Sequence, residues 1–532
     1  LAQILGEEYI TEQIQIGVVS NNLQEVTGEE ELQPEKATLL GPTKVIPLEY
    51  PNITCRSIDI VIPSIGTEQE SRVIKQLVME LQRKPSDLVV AYRGKHRWVQ
   101  RFDPNQFNLV NKNLLPARLR VGGVYLLSGG LQELDLALAE YLVDTVQAKL
   151  VLTGQIDLPD RSEWQQWLTT HDEQEATSSK IIKLQALEAN GGEILIASAR
   201  LSDRTEMQKV IAQAKERFGT VHGVIHTAAT TGGGLVQLKT PELATPVLAP
   251  KVIGTLILAD LLKDTTLDLF LLFSSTISIT GVFGQVDYCA ANAFLDAFAS
   301  YQLATYGIPT VSINWSIAQW ENWSAVSMAN ATEAQTQFEQ IRDRYGITVD
   351  EGIEVFRRII SIAEPLPQII ASTQDFQAII AQQQTSTASS FLELLGNTDT
   401  STSMYSRPEL ANDYVAPRNE IEQVSAAIWQ ELFGIEQVGI HDNFFNLGGN
   451  SLLAIQIVSQ LRKTFQVEIS LSKLFESPTV AGIAAVISES IRREQELEEM
   501  EQLLREIEGM SLDDVQTQLQ ELQSGNEENV NG

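Results

Sequence analysis

Between about Leu119 and Gln383, short apolar runs alternate with stretches in which apolar residues recur every three or four positions. The runs are GGVYLLSGG, KLVLTG, EILIASA, GVIHTAA and FLLFSS, and the amphipathic LQELDLALAEYLVDTVQ follows the first of them. Apolar strands separated by helices predict a parallel sheet covered by helices on both faces, with ligands at the carboxyl ends of the strands. That is a nucleotide-binding type of α/β fold. Upstream, SIDIVIP and SDLVVAYRGKHRWVQRF read as strands and SRVIKQLVMELQRK between them as a helix. They make a second, small α/β unit with no glycine-rich turn and no convergent catalytic residues. Downstream, a Ser/Thr/Gln-rich tract from about Gln382 to Asn412 cannot bury a core and reads as a flexible linker. A compact helical unit runs from Tyr414 to about Ser490. In the acidic tail, Leu497, Met500, Leu504 and Ile507 repeat at three and four, and Leu512, Val515, Leu519 and Leu522 line a second helix that opens at Ser511. Two amphipathic helices with nothing left in the chain to pack against imply a partner.

Composition narrows the function classes. At 532 residues the chain is too long for one core, so two to four domains are expected. A formal charge of -31 argues against nucleic acid as a partner, since a polyanion is repelled. No run approaches the ~18 consecutive apolar residues of a membrane helix, and the amino end shows neither a basic leader nor a small-residue cleavage site. A cytoplasmic chain without a membrane segment is expected. Cys55 and Cys289 lie in unrelated stretches and the five histidines are scattered, so neither a disulfide framework nor a metal site is indicated. The first residue, Leu1, suggests a piece of a longer polypeptide.

The chemistry concentrates in LLFSSTISITGVFGQVDYCAANAFLDA, from Leu271 to Ala297. An apolar strand delivers Ser274 and Ser275 at its carboxyl end, and Tyr288 opens a small-residue helix with Asn292 four positions on, hence on the same face. Ser275 stands 13 residues before Tyr288, and Lys251, in LAPKVIGT, stands 37 before it. This spacing resembles the ketoreductase of polyketide synthases, a branch of the short-chain dehydrogenases. The resemblance implies that a β-ketoacyl thioester takes hydride from NADPH while a proton reaches the carbonyl oxygen. Tyr288 would be the acid, Ser275 would hydrogen-bond the carbonyl, Lys251 would lower the tyrosine's pKa and bind the ribose, and Asn292 would support the lysine or a relaying water.

The cofactor half departs from the family. Where the family has a turn resembling TGGLGGIG, this chain reads Ser128-Gly129-Gly130-Leu131-Gln132-Glu133-Leu134-Asp135. Gln132, Glu133 and Asp135 replace three glycines, so a side chain stands at the close approach and two carboxylates stand at the helix start. At ~4 Å and an effective dielectric near 20, one carboxylate against one phosphate charge costs about 4 kcal/mol. Gln155 occupies the place of the family's 2′-phosphate arginine, and Arg200 the place of an aspartate beside the adenine. Thr231-Gly232-Gly233 stands where many reductases carry Leu-Asp-Asp, and Thr280 stands in place of the tryptophan of the opposite stereochemical class. The hand of any alcohol therefore does not follow from the sequence.

DNFF-x-LGG-x-SL, ending at Ser451 and Leu452, resembles the phosphopantetheine attachment site of acyl and peptidyl carrier proteins, with Asn450 where carriers usually show Asp or His. Ser451 would carry 4′-phosphopantetheine and the tail would dock a downstream synthase subunit. The resemblance to a modular polyketide synthase, or a hybrid with nonribosomal peptide synthesis, implies six segments. These are a linker from an upstream domain (1–45), a structural subdomain (46–118), a Rossmann-like catalytic subdomain (119–381), a flexible linker (382–413), a four-helix carrier (414–488) and docking helices (489–532). Implied partners are a phosphopantetheinyl transferase, upstream ketosynthase and acyltransferase domains, and the next subunit. The expectation is a working carrier beside a reductase-like scaffold that binds NADPH poorly and leaves the β-keto group intact. Two alternatives are an active NADPH-dependent ketoreductase with an unusual turn, and an assembly protein whose carrier is never modified.

Overall fold

The computed structural model describes residues 1–7, 12–50, 52–83, 87–105, 107, 115–230, 232–320, 332–362, 364, 366–385, 406–408, 410, 412–444, 446–447, 451–467, 469 and 471–493. The docking helices beyond 493, the FLELL segment and most of the flexible linker lie outside the described residues. The chain divides into two compact units, Leu1–Gln3 with Glu12–Thr398, and Ile4–Thr11 with Asp399–Gly532.

After helix α1 (Ala2–Glu7), the first unit opens with a four-stranded sheet. Its strands are β1 (Ile14–Asn21), β2 (Ile53–Ile60), β3 (Val89–Arg93) and β4 (His96–Trp98), in that order, the first three parallel and the last pair a hairpin. Helix α2 (Leu40–Glu49) joins β1 to β2, and α3 (Glu68–Gln82) joins β2 to β3. The stretch 1–45, read from sequence as a linker, thus holds an edge strand and the start of a packed helix. The signal is short: Ile14, Ile16 and Val18 alternate with exposed Gln15, Gly17 and Val19, a period of two over one brief run.

The larger sheet has the order β11-β10-β9-β8-β5-β6-β7, every pair parallel. Its strands are β5 (Val124–Ser128), β6 (Lys149–Gly154), β7 (Glu193–Ser198), β8 (Gly223–His226), β9 (Leu269–Ser275), β10 (Thr310–Trp315) and β11 (Gln368–Ala371). The chain winds outward from β5 to β7 and returns at β8, so the switch point, where such folds bind ligands, lies between β5 and β8. Strands β5, β8, β9 and β10 are buried at every position, which is why they read as unbroken apolar runs. One face packs on α4 (Glu133–Val146), α5 (Trp164–Thr170), α6 (Ala176–Ala189) and α12 (Val349–Ile359). The other packs on α7 (Arg204–Phe218), α8 (Pro241–Leu261) and α10 (Val286–Tyr306). Short α9 (Ile277–Thr280), then α11 (Thr332–Tyr345) and α13 (Phe376–Thr385), complete the unit. Among the described residues, α8 is the one helix long and apolar enough to cross a membrane. Its inner face buries Val247, Lys251, Gly254, Thr255, Ile257 and Leu258, as a core helix does.

The two sheets meet through helices. Gly41 of α2 sits so close to α10 that a Cβ there would lie 2.5 Å from the Val286 carbonyl oxygen and 2.6 Å from the Ala290 Cβ. Lys44, one turn on, donates to the Ser278 carbonyl, and burial lowers its pKa. In the second unit, α14 (Glu420–Phe433), α15 (Ser451–Phe465), α16 (Leu471–Glu476) and a last helix over 480–493 enclose Trp429, Phe444, Leu461, Leu474 and Ile483.

The contact at Gly41 leaves no room for a side chain. A Gly41→Val substitution is expected to lower the thermal midpoint of the first unit, at a cost of about 1–3 kcal/mol, while leaving the carrier transition in place. Calorimetry of the full chain reads both transitions.

Candidate active site and carrier

Of the four residues expected from spacing, Lys251 and Asn292 meet Tyr288, and Ser275 stands at the end of β9. Strand β9 ends in Ser274 and Ser275, both buried, and the two serines have different partners. Ser274 Oγ donates to the Asn292 carbonyl at 3.2 Å and accepts from Asn314 Nδ2 at 3.1 Å, which ties β9 to α10 and β10. Among the described residues Ser275 Oγ makes two long contacts, to the Trp315 carbonyl and the Ile277 N–H, both at 3.4 Å. Its hydroxyl is the less committed of the two. Helix α10 begins two residues before Tyr288, and Asn292 lies one turn further on, its Nδ2 donating to the Tyr288 carbonyl at 2.8 Å. Asn292 Oδ1 is buried with no hydrogen-bond partner among the described residues. Lys251 comes in from α8, 1% exposed, with its Nζ 2.5 Å from the Phe273 carbonyl and 5.6 Å from the centre of the Tyr288 ring.

Sequence reasoning treated the histidines as scattered, yet His226 stands inside this site. Its ring bridges Ser128 Oγ at 2.7 Å and the Pro250 carbonyl at 3.2 Å, linking the end of β5 to the residue before Lys251. Burial, with the charge of Lys251 adding to it, pulls its pKa down to about 4, so the ring is neutral. Nε2–H then donates to Pro250, and Nδ1 accepts from Ser128. No spacing announces such a residue, because its partners arrive from two other elements, β5 and α8.

The turn after β5 is held by backbone bonds to the end of β6. Gly129 and Gly130 N–H groups both reach the Thr153 carbonyl, at 3.0 and 3.2 Å. A Cβ on Gly129 would fall 2.0 Å from Thr227 Oγ1, and Gly130 has a φ of 115°, so both glycines are required. The polar replacements change what stands in front of the helix. Gln132 is the N-cap of α4, and its N–H donates to the Asp135 carboxylate at 3.0 Å, the acidic half of a capping box. Asp135 is buried, and burial outweighs the Gln132 N–H and the neighbouring Thr227 hydroxyl, pushing its pKa from 3.8 up to about 6. Glu133 stays exposed and lines a cavity of about 480 Å³ with Gln319, Arg342, Asp343, Thr348 and Asp350, three carboxylates against one guanidinium. Gln155 is exposed at the end of β6. Arg200, after β7, is engaged with Glu206 at 2.6 Å and Asp203 at 2.8 Å.

Beside Tyr288, Asp287 accepts from Lys239 Nζ at 2.9 Å in a buried ion pair, and Lys239 also donates to the Gly233 carbonyl at 2.5 Å. Gly232 leaves the space that the Asp287 carboxylate fills, since a Cβ there would lie 2.4 Å from Oδ1. Thr231 lies outside the described residues.

In the carrier, Ser451 is the first residue of α15; Gly448, Gly449 and Asn450 lie outside the described residues. Asp442, opening the DNFF motif, is fully buried and accepts from Arg407 at 2.7 and 2.9 Å, Asn412 Nδ2 at 2.8 Å and the Gly439 N–H at 2.7 Å. Burial pushes its carboxyl up, and these donors reverse that, holding it below the ordinary carboxylate range. Arg407 and Asn412, assigned from composition to the linker, are therefore fastened to the carrier. Phe444 packs edge-on against Trp429 and Phe433, at 5.7 and 5.6 Å between ring centres.

A doubly wound sheet with Ser275, Tyr288 and Lys251 at its carboxyl edge, joined to a small helical unit, defines a dehydrogenase-type domain followed by a carrier domain. Residues 123–320 match the KR domain family, and residues 426–487 match the phosphopantetheine attachment site family. The chain is 28% identical over 460 residues to one of the phenolphthiocerol/phthiocerol polyketide synthase subunits of Mycobacterium tuberculosis, covering 85% of this chain and 22% of the relative. It is 27% identical over 379 residues to 5-methyl-1-naphthoate synthase of Streptomyces sahachiroi, covering 71% of this chain and 20% of the relative. It spans about a fifth of the length of these curated relatives. Among solved structures, a ketoreductase domain from the bacillaene assembly line is 26% identical with a TM-score of 0.55, over 72% of this chain and 82% of that one. The chain carries a KR domain and a phosphopantetheine-binding carrier domain, and it fits a ketoreductase–carrier segment of a modular polyketide synthase.

The buried carboxyl at the turn has a pH signature. The folded protein keeps Asp135 protonated up to about pH 6, whereas an unfolded chain releases that proton near 4. The proton-linked stability is full below ~pH 4 and is lost as pH rises through 6, a change of at most about 3 kcal/mol. Asp135→Asn is expected to raise the thermal midpoint of the first unit at pH 8, with the gain shrinking toward pH 4.

Proposed function

We propose that this chain acts within a modular polyketide synthase, its carrier holding the growing acyl chain as a thioester on 4′-phosphopantetheine at Ser451. A phosphopantetheinyl transferase would load the arm in the cytoplasm. Upstream ketosynthase and acyltransferase domains would extend the chain, and the amphipathic helices of the tail would dock the next synthase subunit. The position of Ser451 at the start of α15, inside the matched carrier family, supports this reading.

For the reductase-like domain we infer impaired NADPH binding, a retained scaffold and a β-keto group passed on unreduced. The observation that carries this is the hydrogen bond from Gln132 N–H to Asp135, which closes the amino end of α4 on a carboxylate of its own. A helix amino terminus binds pyrophosphate through free N–H groups and its positive dipole end. Here the dipole already faces Asp135, Gln132 stands at the close approach, and Glu133 adds exposed negative charge. The residues of the turn do not fit a pyrophosphate. The alternative, an active NADPH-dependent ketoreductase, draws on the approach of Lys251 to Tyr288 and on the loosely held Ser275 hydroxyl. In that reading the acyl carbonyl would lie between Ser275 Oγ and the Tyr288 phenol, which would donate the proton.

Two measurements test these readings. Titration of NADPH fluorescence is expected to show no saturable binding by the natural chain, and binding at least tenfold tighter after Gln132→Gly, Glu133→Gly and Asp135→Gly are combined. Micromolar binding by the natural chain would return Tyr288 to service as the acid. Incubation with coenzyme A and a transferase is expected to add the mass of one phosphopantetheine, and Ser451→Ala to abolish the addition; an unmodified natural chain would favour a purely structural role.

A further inference from the structure

Glu49 is the last residue of α2, in the part of the chain that supplies none of Lys251, Ser275, Tyr288 or Asn292. Its side chain reaches across to the larger sheet. Oε2 accepts the Val236 N–H at 2.6 Å and Oε1 accepts the Gly284 N–H at 3.0 Å. Val236 belongs to the loop leaving β8, and Gly284 to the loop that leads into α10, four residues before Tyr288. Both loops rise from the carboxyl edge of the sheet, the side on which this type of fold takes its ligands. Neighbouring ties follow the same pattern. Tyr50 Oη donates to Gln237 at 2.6 Å, and Gln3 donates to the Val236 and Lys239 carbonyls at 2.9 Å each. Gln285 fastens the first loop to the second through the Gly232 carbonyl at 3.0 Å, and Lys239 fastens it to Asp287.

We propose that Glu49 is a positioning residue for this site, tying together the two loops that flank Tyr288 so that the first sheet domain builds part of the acyl-substrate wall. It touches no reacting atom and acts through the backbone of Val236 and Gly284. One carboxylate with two oxygens suits the task, because each oxygen accepts from one partly buried amide, one in each loop. The charged groups facing it are Lys239, from the loop after β8, and Asp287, from α10. Burial, with Asp287 adding to it, outweighs the two N–H donors and Lys239 and pushes the Glu49 carboxyl up to about 7. The tie is therefore also sensitive to pH. Closed loops hold the proton up to about pH 7, and opened loops release it near the ordinary 4.5. Protons favour the closed form, and opening becomes easier as pH rises through this window.

Amide hydrogen–deuterium exchange on the full chain, corrected for the intrinsic rate at each pH, reads this without cofactor or turnover. It succeeds or fails independently of NADPH binding. In the natural chain, peptides covering 232–239 and 281–287 are expected to lose protection by roughly 10- to 100-fold between pH 5 and pH 8. Glu49→Gln is expected to flatten that pH profile. Glu49→Ala is expected to cost both peptides at least tenfold in protection at every pH, while β5 and β10 keep theirs. The proposal is overturned if Glu49→Ala leaves both peptides unchanged. Should Glu49→Ala lose protection throughout the domain, the natural chain against Glu49→Gln decides, and identical pH profiles in the two overturn it.

Discussion

Helix α10 carries Tyr288 and Asn292, and its packing is the constraint on which the first unit rests. It is buried along most of its length, and its small residues, Cys289, Ala290, Ala291 and Ala293, let neighbours come close. Strand β9 reaches it through Ser274, and α2 reaches it through Gly41. Below Tyr288, Asp296 accepts from Ser278 at 2.5 Å, Ser312 at 2.6 Å and Asn314 at 2.9 Å, fixing the helix over the ends of β9 and β10. Burial raises the Asp296 pKa in spite of these donors. A helix held from so many sides keeps its residues in register whether or not turnover follows. The packing that holds Tyr288 and Asn292 on α10 and the capping of α4 by Asp135 are therefore separate features of the domain.

Much of this architecture was legible in the sequence, for physical reasons. Strands of a parallel sheet buried on both faces leave unbroken apolar runs, and β5, β6, β8 and β9 were found that way. The Ser275, Tyr288 and Asn292 spacing was legible because those residues lie close together in the chain, where periodicity converts directly into geometry. The turn was legible as a departure, but only the structure reveals its form: Asp135 is a buried cap rather than an exposed charge, and Glu133 alone of the two carboxylates faces solvent.

What escaped the sequence has a common character. His226, Lys239, Asp287 and Glu49 are polar residues whose partners lie far away along the chain, 187 positions for Glu49 to Val236 and 98 for His226 to Ser128. Pattern reading works within a window of one element and cannot see such pairs. Strand β1 escaped for a different reason, since its alternation spans a single edge strand. The anchoring of Arg407 and Asn412 escaped because they sit at the end of a polar tract, and composition cannot tell a residue that pairs with buried Asp442 from one that faces water.

The closeness of Gly41 to α10 bears on how this chain can be recombined with a related one. A crossover placed just before β5, where the matched KR family begins, would import a foreign α2 against the resident α10. Any residue larger than glycine at the crossing would push the helices apart, and a partner lacking Glu49 or Lys44 would leave amide and carbonyl groups without their acceptor or donor. The transferable unit is set by this contact rather than by the edges of the sheet. An exchange that respects it must begin upstream of β1, so that both halves of the crossing travel together.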